Sequence, residues 1–229
     1  MKVQQAKRPP ADVAVPSRRE QRRVQHQDLS RSQLLDAAEE VFGRKGFHAT
    51  SLKEIAELAE FSVGSVYSFF ENKDDLFRQI FARRGTEFMP EMAAVVGAPG
   101  PASEVLHSLV DFEVGYFRRL PNFGRLYLRF SSAALQTGER LADELVLDNY
   151  AASMRLQAEL FARGQADGTL CAGDPVVLAR LLSGLVSAYQ AVDPEVMGDD
   201  VEITEPMPVE ELHRLVTRTF VVAAPKRRA

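Results

Sequence analysis

The chain has 229 residues, 45% hydrophobic and 26% charged, with a net charge of −4 and one cysteine, Cys171. This is the composition of a globular chain with a sizeable core, and it excludes an intrachain disulfide framework. No apolar run approaches the roughly 18 residues of a membrane span, and the start is basic and polar with no secretory hydrophobic region, so a cytoplasmic protein away from the membrane is expected.

The charge is unevenly spread. Residues 1–31 carry eight Lys/Arg against three acids, residues 32–80 five against nine, and residues 81–229 15 against 20. The positive excess sits just ahead of the first predicted helix. Residues 1–27 read as a basic, disordered arm. Arg18, Arg19, Arg22 and Arg23 suit a flexible segment that follows a phosphate backbone or enters a minor groove, or else a solubilising tail.

From Arg31 to Phe81 the pattern predicts four helices joined by capped turns. Leu34, Leu35, Ala38, Val41 and Phe42 form one apolar stripe on the first, and Gly46 closes it. Ser51 and Glu54 make a capping box for the second, whose buried face is Leu52, Ile55, Ala56 and Ala59. Glu60-Phe61 is the turn, and Ser62 caps the third helix. Val66 and Phe70 face inward there, leaving Val63, Ser65, Tyr67, Ser68 and Phe69 outside. Asn72 caps the fourth helix, with Asp74 and Asp75 in its positive first turn and Leu76, Phe77, Ile80 and Phe81 as its stripe.

The second and third helices have the length and turn chemistry of a helix-turn-helix. Residues 63–70 hold no charge, unlike a solvated helix. Such a face suits the major groove, where a methyl meets thymine and a hydroxyl meets base edges or phosphates.

ATSLKEIAELAEFSVGSVYSFFENKDDLF resembles the DNA-binding domain of the TetR family of bacterial transcription regulators. The matching features are Thr50 and Ser51 opening helix two, the pair Ile55-Ala56, the run Gly64-Ser65-Val66-Tyr67-Ser68-Phe69-Phe70, and Lys73 at the head of helix four. The likeness covers about fifty residues in order, far more than a short motif. Glu60 stands where the family commonly has Gly, Val63 where a polar residue is frequent, and Phe69 where Tyr is common. The resemblance implies an all-α protein with a DNA-binding domain over 28–82 and a larger helical ligand-binding and dimerisation domain over 83–229. It points Tyr67 and Lys73 at phosphates. With the outward residues, the expected DNA-binding set is Arg31, Thr50, Ser51, Ser62, Val63, Gly64, Ser65, Tyr67, Ser68 and Lys73.

Beyond residue 83 only helices are predicted. Residues 102–119 carry Val105, Leu109, Phe112 and Tyr116 at helical spacing. Pro121 starts the next helix, with Phe123, Leu126, Tyr127, Phe130 and Ala134 inside. A long helix spans 139–163, followed by a loop with stop signals at Gly164 and Asp167-Gly168. Asp174 and Pro175 open a helix over 174–191. Residues 193–208 read as a loop, and a final helix runs over 209–222. The likeness implies that the last two of these helices form a homodimer, with Gly184 and Ala188 permitting close packing.

The family's larger domain usually encloses an apolar cavity. Candidate walls for an effector of unknown identity are Phe112, Tyr116, Tyr127, Tyr150 and Met154, with ordinary core aromatics as the alternative. Arg125 and Arg129 share a face and are assigned to solvent or to pairs with Glu113 or Asp111, with an anionic effector as the other option. Asp36, Glu39 and Glu40 read as a solvated face.

Four scattered histidines lack metal-ligand spacing, and no nucleophile elbow or phosphate-cradling loop is present. No cofactor, metal or enzymatic activity is therefore expected. The expected function is a ligand-responsive repressor binding a palindromic operator as a dimer. The alternative is a small helical enzyme or effector-binding module with a vestigial helix-turn-helix.

Overall fold

A computed structural model describes residues 17–137, 144–198, 202 and 205–223, with side chains described outside 131–146. Ten helices are assigned among them: α1 Arg18–Lys45, α2 Leu52–Leu58, α3 Val63–Phe69, α4 Lys73–Val96, α5 Ala102–Arg119, α6 Pro121–Thr137, α7 Glu144–Ala166, α8 Pro175–Gln190, α9 Pro194–Met197 and α10 Val209–Phe220. One isolated bridge, Leu170 to Val221, is the only extended pairing among the described residues. The all-α expectation therefore holds.

Two apolar clusters organise the chain. The first joins α1 to α4 with α6, centred on Leu34, Phe42, Ile55, Val66, Phe77 and Phe81. The second lies among α4, α5, α7, α8 and α10, around Met92, Leu106, Phe161, Leu182 and Phe220. α4 contributes to both, so one helix starts in the small N-terminal bundle and ends in the larger one.

Three local expectations are corrected. Ser17 caps α1, and the helix starts at Arg18, so residues 18–27 continue the first helix as an exposed rod instead of a loose arm. Residues 1–16 of the expected arm, and Ala134 and the start of the 139–163 helix, fall outside what is described in full. Gly164 lies inside α7, because Leu170 folds back over it and a Cβ there would come within 2.3 Å of that side chain. The 193–208 loop contains the short helix α9, capped by the buried Asp193, which Arg118 holds at 2.7 Å.

Glu39 is the largest departure. It is 5% exposed and pairs with two arginines of α4: both its oxygens meet Arg84 at 2.9 Å, and Arg83 reaches it at 3.1 Å. Arg83 also bonds Asp36 at 2.7 Å, and Arg84 bonds Glu87 at 2.8 Å. The acidic side of α1 is therefore partly a buried strut to α4. Helical periodicity places Glu39 correctly on α1 but says nothing about a cation 45 residues on.

The α2–α3 turn is closed by backbone. Phe61 N–H donates to Ala56 C=O at 2.8 Å and Glu60 N–H to Glu57 C=O at 3.2 Å, the paired bonds of a Schellman cap. The geometry forces Glu60 to φ +59°, the left-handed region. This is where the resembled family commonly has Gly. Relief of the Cβ clash outweighs the added backbone freedom, so Glu60→Gly should stabilise the fold by about 0.5–1 kcal/mol in denaturant unfolding. A loss of stability would show that the Glu60 side chain holds the turn by contacts of its own.

Candidate DNA-binding face and effector cavity

The two short helices stand on the first cluster. Ser51 supplies both halves of a capping box with Glu54, its Oγ accepting from Glu54 N–H at 3.3 Å and its own N–H donating to Glu54 Oε2 at 3.0 Å. The Glu54 carboxylate also pairs with Lys45. The Lys45 bond, then the Ser51 N–H, hold that carboxyl down at about 2. Ser62 caps α3, accepting from Ser65 N–H at 3.0 Å and meeting the Ser65 hydroxyl at 2.8 Å. Val66 is fully buried beneath α3.

What remains outside is the expected face. Val63 is 37% exposed and Tyr67 57%, with Ser62, Gly64 and Ser68 exposed beside them. Ser68 donates to the Ser65 carbonyl at 2.6 Å, so its hydroxyl proton is committed and it has acceptor capacity left. α3 therefore offers a neutral, short-side-chained surface with one protruding phenol.

Three members of the expected DNA set bond to the chain itself. Thr50 is 4% exposed and its hydroxyl donates to Gly46 C=O at 2.8 Å, closing the turn after α1. The Lys73 ammonium donates to the carbonyls of Phe47 and Thr50, both at 2.9 Å, and sits 4.4 Å over the Phe47 ring. Arg31 reaches the Phe69 carbonyl at 3.5 Å and lies over the Phe70 ring, gripping the end of α3. Each is a contact to a backbone carbonyl, and the partners of Lys73 and Arg31 lie 23 to 38 positions away, which residue type and spacing do not announce.

The second site is a cavity of about 350 Å³ where α4 to α8 meet. Phe81, Arg84, Gly85, Phe88 and Met89 enter from α4, Glu113 and Phe117 from α5, and Phe123, Tyr127 and Phe130 from α6. Tyr150, Ser153 and Gln157 come from α7, and Val186, Ser187 and Gln190 from α8. Of the expected walls, Tyr127 and Tyr150 line it. Phe112, Tyr116 and Met154 do not, and this corrects their assignment. Tyr116 is fully buried, with its hydroxyl on the Arg84 carbonyl at 3.3 Å and its phenol pushed up to about 12 by burial. Phe112 stacks on Phe88 from behind, and Met154 packs in the core. Arg125 bonds Val196 C=O at 2.8 Å and Arg129 bonds Gly43 C=O at 3.2 Å, so neither pairs with Glu113 or Asp111. Asp111 bonds His213 instead, at 2.7 Å.

Glu113 was not singled out as a cavity residue by pattern. The available signal was an acid flanked by Leu109, Val110, Tyr116 and Phe117 on the apolar face of α5. It is 7% exposed, and burial pushes its carboxyl up to about 8. Gln157 donates to its Oε1 at 3.2 Å, while the Oε1 of Gln157 itself is buried with no partner.

A family model, bacterial regulatory proteins of the tetR family, matches residues 34–80. The regulator YfiR of Bacillus subtilis is 41% identical over 56 residues, which are 24% of this chain and 27% of that protein. Among solved structures, a TetR-like transcriptional regulator from Rhodococcus sp. RHA1 superposes with a TM-score of 0.61 at 26% identity, covering 82% of this chain and 94% of that one. A transcriptional regulator from Saccharomonospora viridis, in complex with choline, gives 0.68 at 18% identity, covering 86% of this chain and all of that one. The chain spans less than half the length of the curated relatives it matches by sequence. The sequence likeness is confined to the helix-turn-helix segment and its surroundings, and the structural likeness extends the fold of such regulators over most of the chain. Residues 34–80 match the tetR family of bacterial regulatory proteins, and the fold over most of the chain is similar to that of a TetR-like regulator.

Two predictions follow from the buried groups. Lys73→Ala should lower stability by about 1.5–3 kcal/mol, the range for a hydrogen bond to a charged group. It should leave the salt slope of DNA binding unchanged; a slope smaller by about one unit with folding intact would restore a phosphate contact. For Glu113 the folded carboxyl is raised, so the stability it contributes is complete below about 4.5, is lost as pH rises, and levels off above about 8. Thermal unfolding of Glu113→Gln should be flatter than that of the parent between those limits. Parallel curves would mean the carboxyl is not buried in solution.

Proposed function

We propose that this chain is a ligand-responsive repressor that binds a palindromic operator as a homodimer. The observation that carries the reading is α4. Its first turn holds the helix-turn-helix, through Lys73 on the Phe47 and Thr50 carbonyls. Its middle supplies Arg84, Gly85, Phe88 and Met89 to the cavity. Pro90 follows at once, removing one helical N–H where the helix can bend. A molecule that fits the cavity better in one setting of α4 biases the position of α3, a population shift between DNA-competent and incompetent forms. The choline complex of the Saccharomonospora regulator supports a small molecule as the effector class here.

The dimer is supported by α8. Val177, Leu181, Gly184 and Ala188 lie along one exposed stripe, Val177 and Leu181 being 50% and 56% exposed. A Cβ on Gly184 would meet nothing within 4 Å, so the groove is open to a partner helix. A second copy covers an apolar stripe of this kind most economically, because two-fold symmetry brings the same face to itself. Two α3 helices then reach successive major grooves, which requires paired half-sites about 34–36 Å apart or a multiple of that.

DNA contact is proposed for Ser62, Val63, Gly64, Ser65, Tyr67 and Ser68, with Ser51 at the head of α2 and the exposed Arg18, Arg19, Arg22 and Arg23 of α1 on the flanking phosphates. The test is site selection on randomised DNA followed by gel shift. Tyr67→Phe should bind the selected operator more weakly by about 0.5–1.5 kcal/mol, the net worth of one hydrogen bond, with folding unchanged. Equal binding by parent and variant would remove the phenol from the interface. Selection of single, unpaired half-sites would overturn the dimeric reading.

A further inference from the structure

The cavity holds one acid among aromatic walls. Glu113 is 7% exposed, and among the described residues no cation pairs with it. Gln157, 1% exposed, spends its N–H on Glu113 Oε1 and leaves its own Oε1 without a donor. Two acceptors of neighbouring side chains are thus held at one wall, and both call for N–H or O–H donors from a guest. Phe88, Phe117, Tyr127 and Tyr150 offer ring faces and edges around them. A ring face attracts a cation through the negative face of its quadrupole, an attraction that grows when water is excluded.

The only cation lining the cavity among the described residues is Arg84, from α4. Its guanidinium is already held by both oxygens of Glu39 and by Glu87, so its charge is matched. The other titratable groups facing Glu113 are Tyr127 from α6 and Tyr150 from α7. Burial, then the nearness of Glu113, pushes the Tyr127 phenol up, so it stays neutral near pH 7. The residues from α8 are Ser183, Val186, Ser187 and Gln190, none of which titrates. A volume of about 350 Å³ is near the lower end for small-molecule sites, about 300–1,000 Å³.

We propose that this cavity selects a compact primary or secondary amine bound as its ammonium, whose N–H donors are shared between the Glu113 carboxylate and the free Oε1 of Gln157 while its apolar body lies against the aromatic walls. The inference rests on the effector reading above and names the chemistry of that effector. The proton count follows. With the carboxyl raised to about 8, the empty cavity is mostly protonated at pH 7, and an ammonium, whose own pKa is near that of lysine at about 10, displaces that proton to solvent. Affinity for the amine then rises about tenfold per unit between pH 6 and 7 and flattens above about 8.

Calorimetry on the full chain with 2-phenylethylamine, 2-phenylethanol and 3-phenylpropionate as matched probes tests this. The amine should bind at least tenfold more tightly than either other probe at pH 8, and should release close to one proton at pH 7 when titrated in buffers of different ionisation heat. Glu113→Gln should lose at least tenfold in amine affinity, abolish the proton release, and keep its weak binding of the alcohol. Equal binding of alcohol and amine would overturn the proposal, and would mean a protonated Glu113 donating to a reversed Gln157 amide. Preference for the carboxylate probe, or binding of none of the three, would overturn it as well. A gel shift on the selected operator without probe is scored separately, so a failed ligand assignment with intact DNA binding is distinct from failure of the regulator reading.

Discussion

The bidentate contact between Glu39 and Arg84 is the constraint on which the rest of the molecule depends. Both groups are withdrawn from water, and each would be costly alone: removing one partner of a buried pair typically costs about 3–5 kcal/mol. They therefore move together. Arg84 also lines the cavity, and its backbone carbonyl receives the Tyr116 hydroxyl. The same residue of α4 thus touches α1, α5 and the cavity. Any adjustment of the cavity wall at Arg84 is passed to α1, the helix on which α2 and α3 are built. α6 adds a second tie. Arg129 caps the α1 carbonyls of Gly43 and Arg44, and Gly43 has no Cβ because the Asn122 carbonyl would lie 2.5 Å from it. α1 is held from two sides by elements of the larger bundle.

The recognition helix is short, so it needs external support. Seven residues are too few to be stable on local bonds alone. Support comes from Ser62 at its start, Val66 and Phe70 beneath it, and Arg31 at its end. Lys73 performs the equivalent task for the turn before α2. Arg31 and Lys73 are thus engaged in holding the helix-turn-helix together. The outward face of α3 is neutral, and under the proposed DNA contact the long-range attraction to phosphate falls to the exposed arginines at the start of α1.

Local chemistry was readable from the chain, and long-range pairing was not. Ser51 with Glu54, Ser62, Asn72 and Asp174 all cap helices as the spacing predicts, because a cap involves residues two or three apart. The apolar stripes of α1 and α4 fill the first cluster for the same reason. Most of what could not be read shares one cause. Glu39, Lys73, Arg31, Arg125 and Arg129 are polar residues whose partners lie 23 to 86 positions away. Periodicity gives each the correct side of its helix but not what faces it. Among the cavity aromatics, Tyr127 reached the lining and Phe112 did not, since the two differ only in which neighbour fills the space beside them.

A buried carboxyl without a cation is destabilising, and the placement of Glu113 shows where that cost falls. It lies on α5 and lines the same cavity as Arg84 of α4. Arg84 is matched by Glu39, whereas Glu113 has no cation partner among the described residues. A guest with a positive end therefore gains most at the α5 wall, while its body contacts α4. Tight binding alone would shift nothing, because a ligand moves an equilibrium only by its difference in affinity between the two states. The difference must arise on the α4 side, at Gly85, where a Cβ would lie 2.3 Å from Asn149 of α7, and at Phe88 and Met89 just before Pro90. There the helix crossing is tight and the helix itself is weakened. In the proposed reading Glu113 anchors the guest, the bulk of the guest sets the α4–α7 spacing, and Arg84 with Glu39 carries the result to α1.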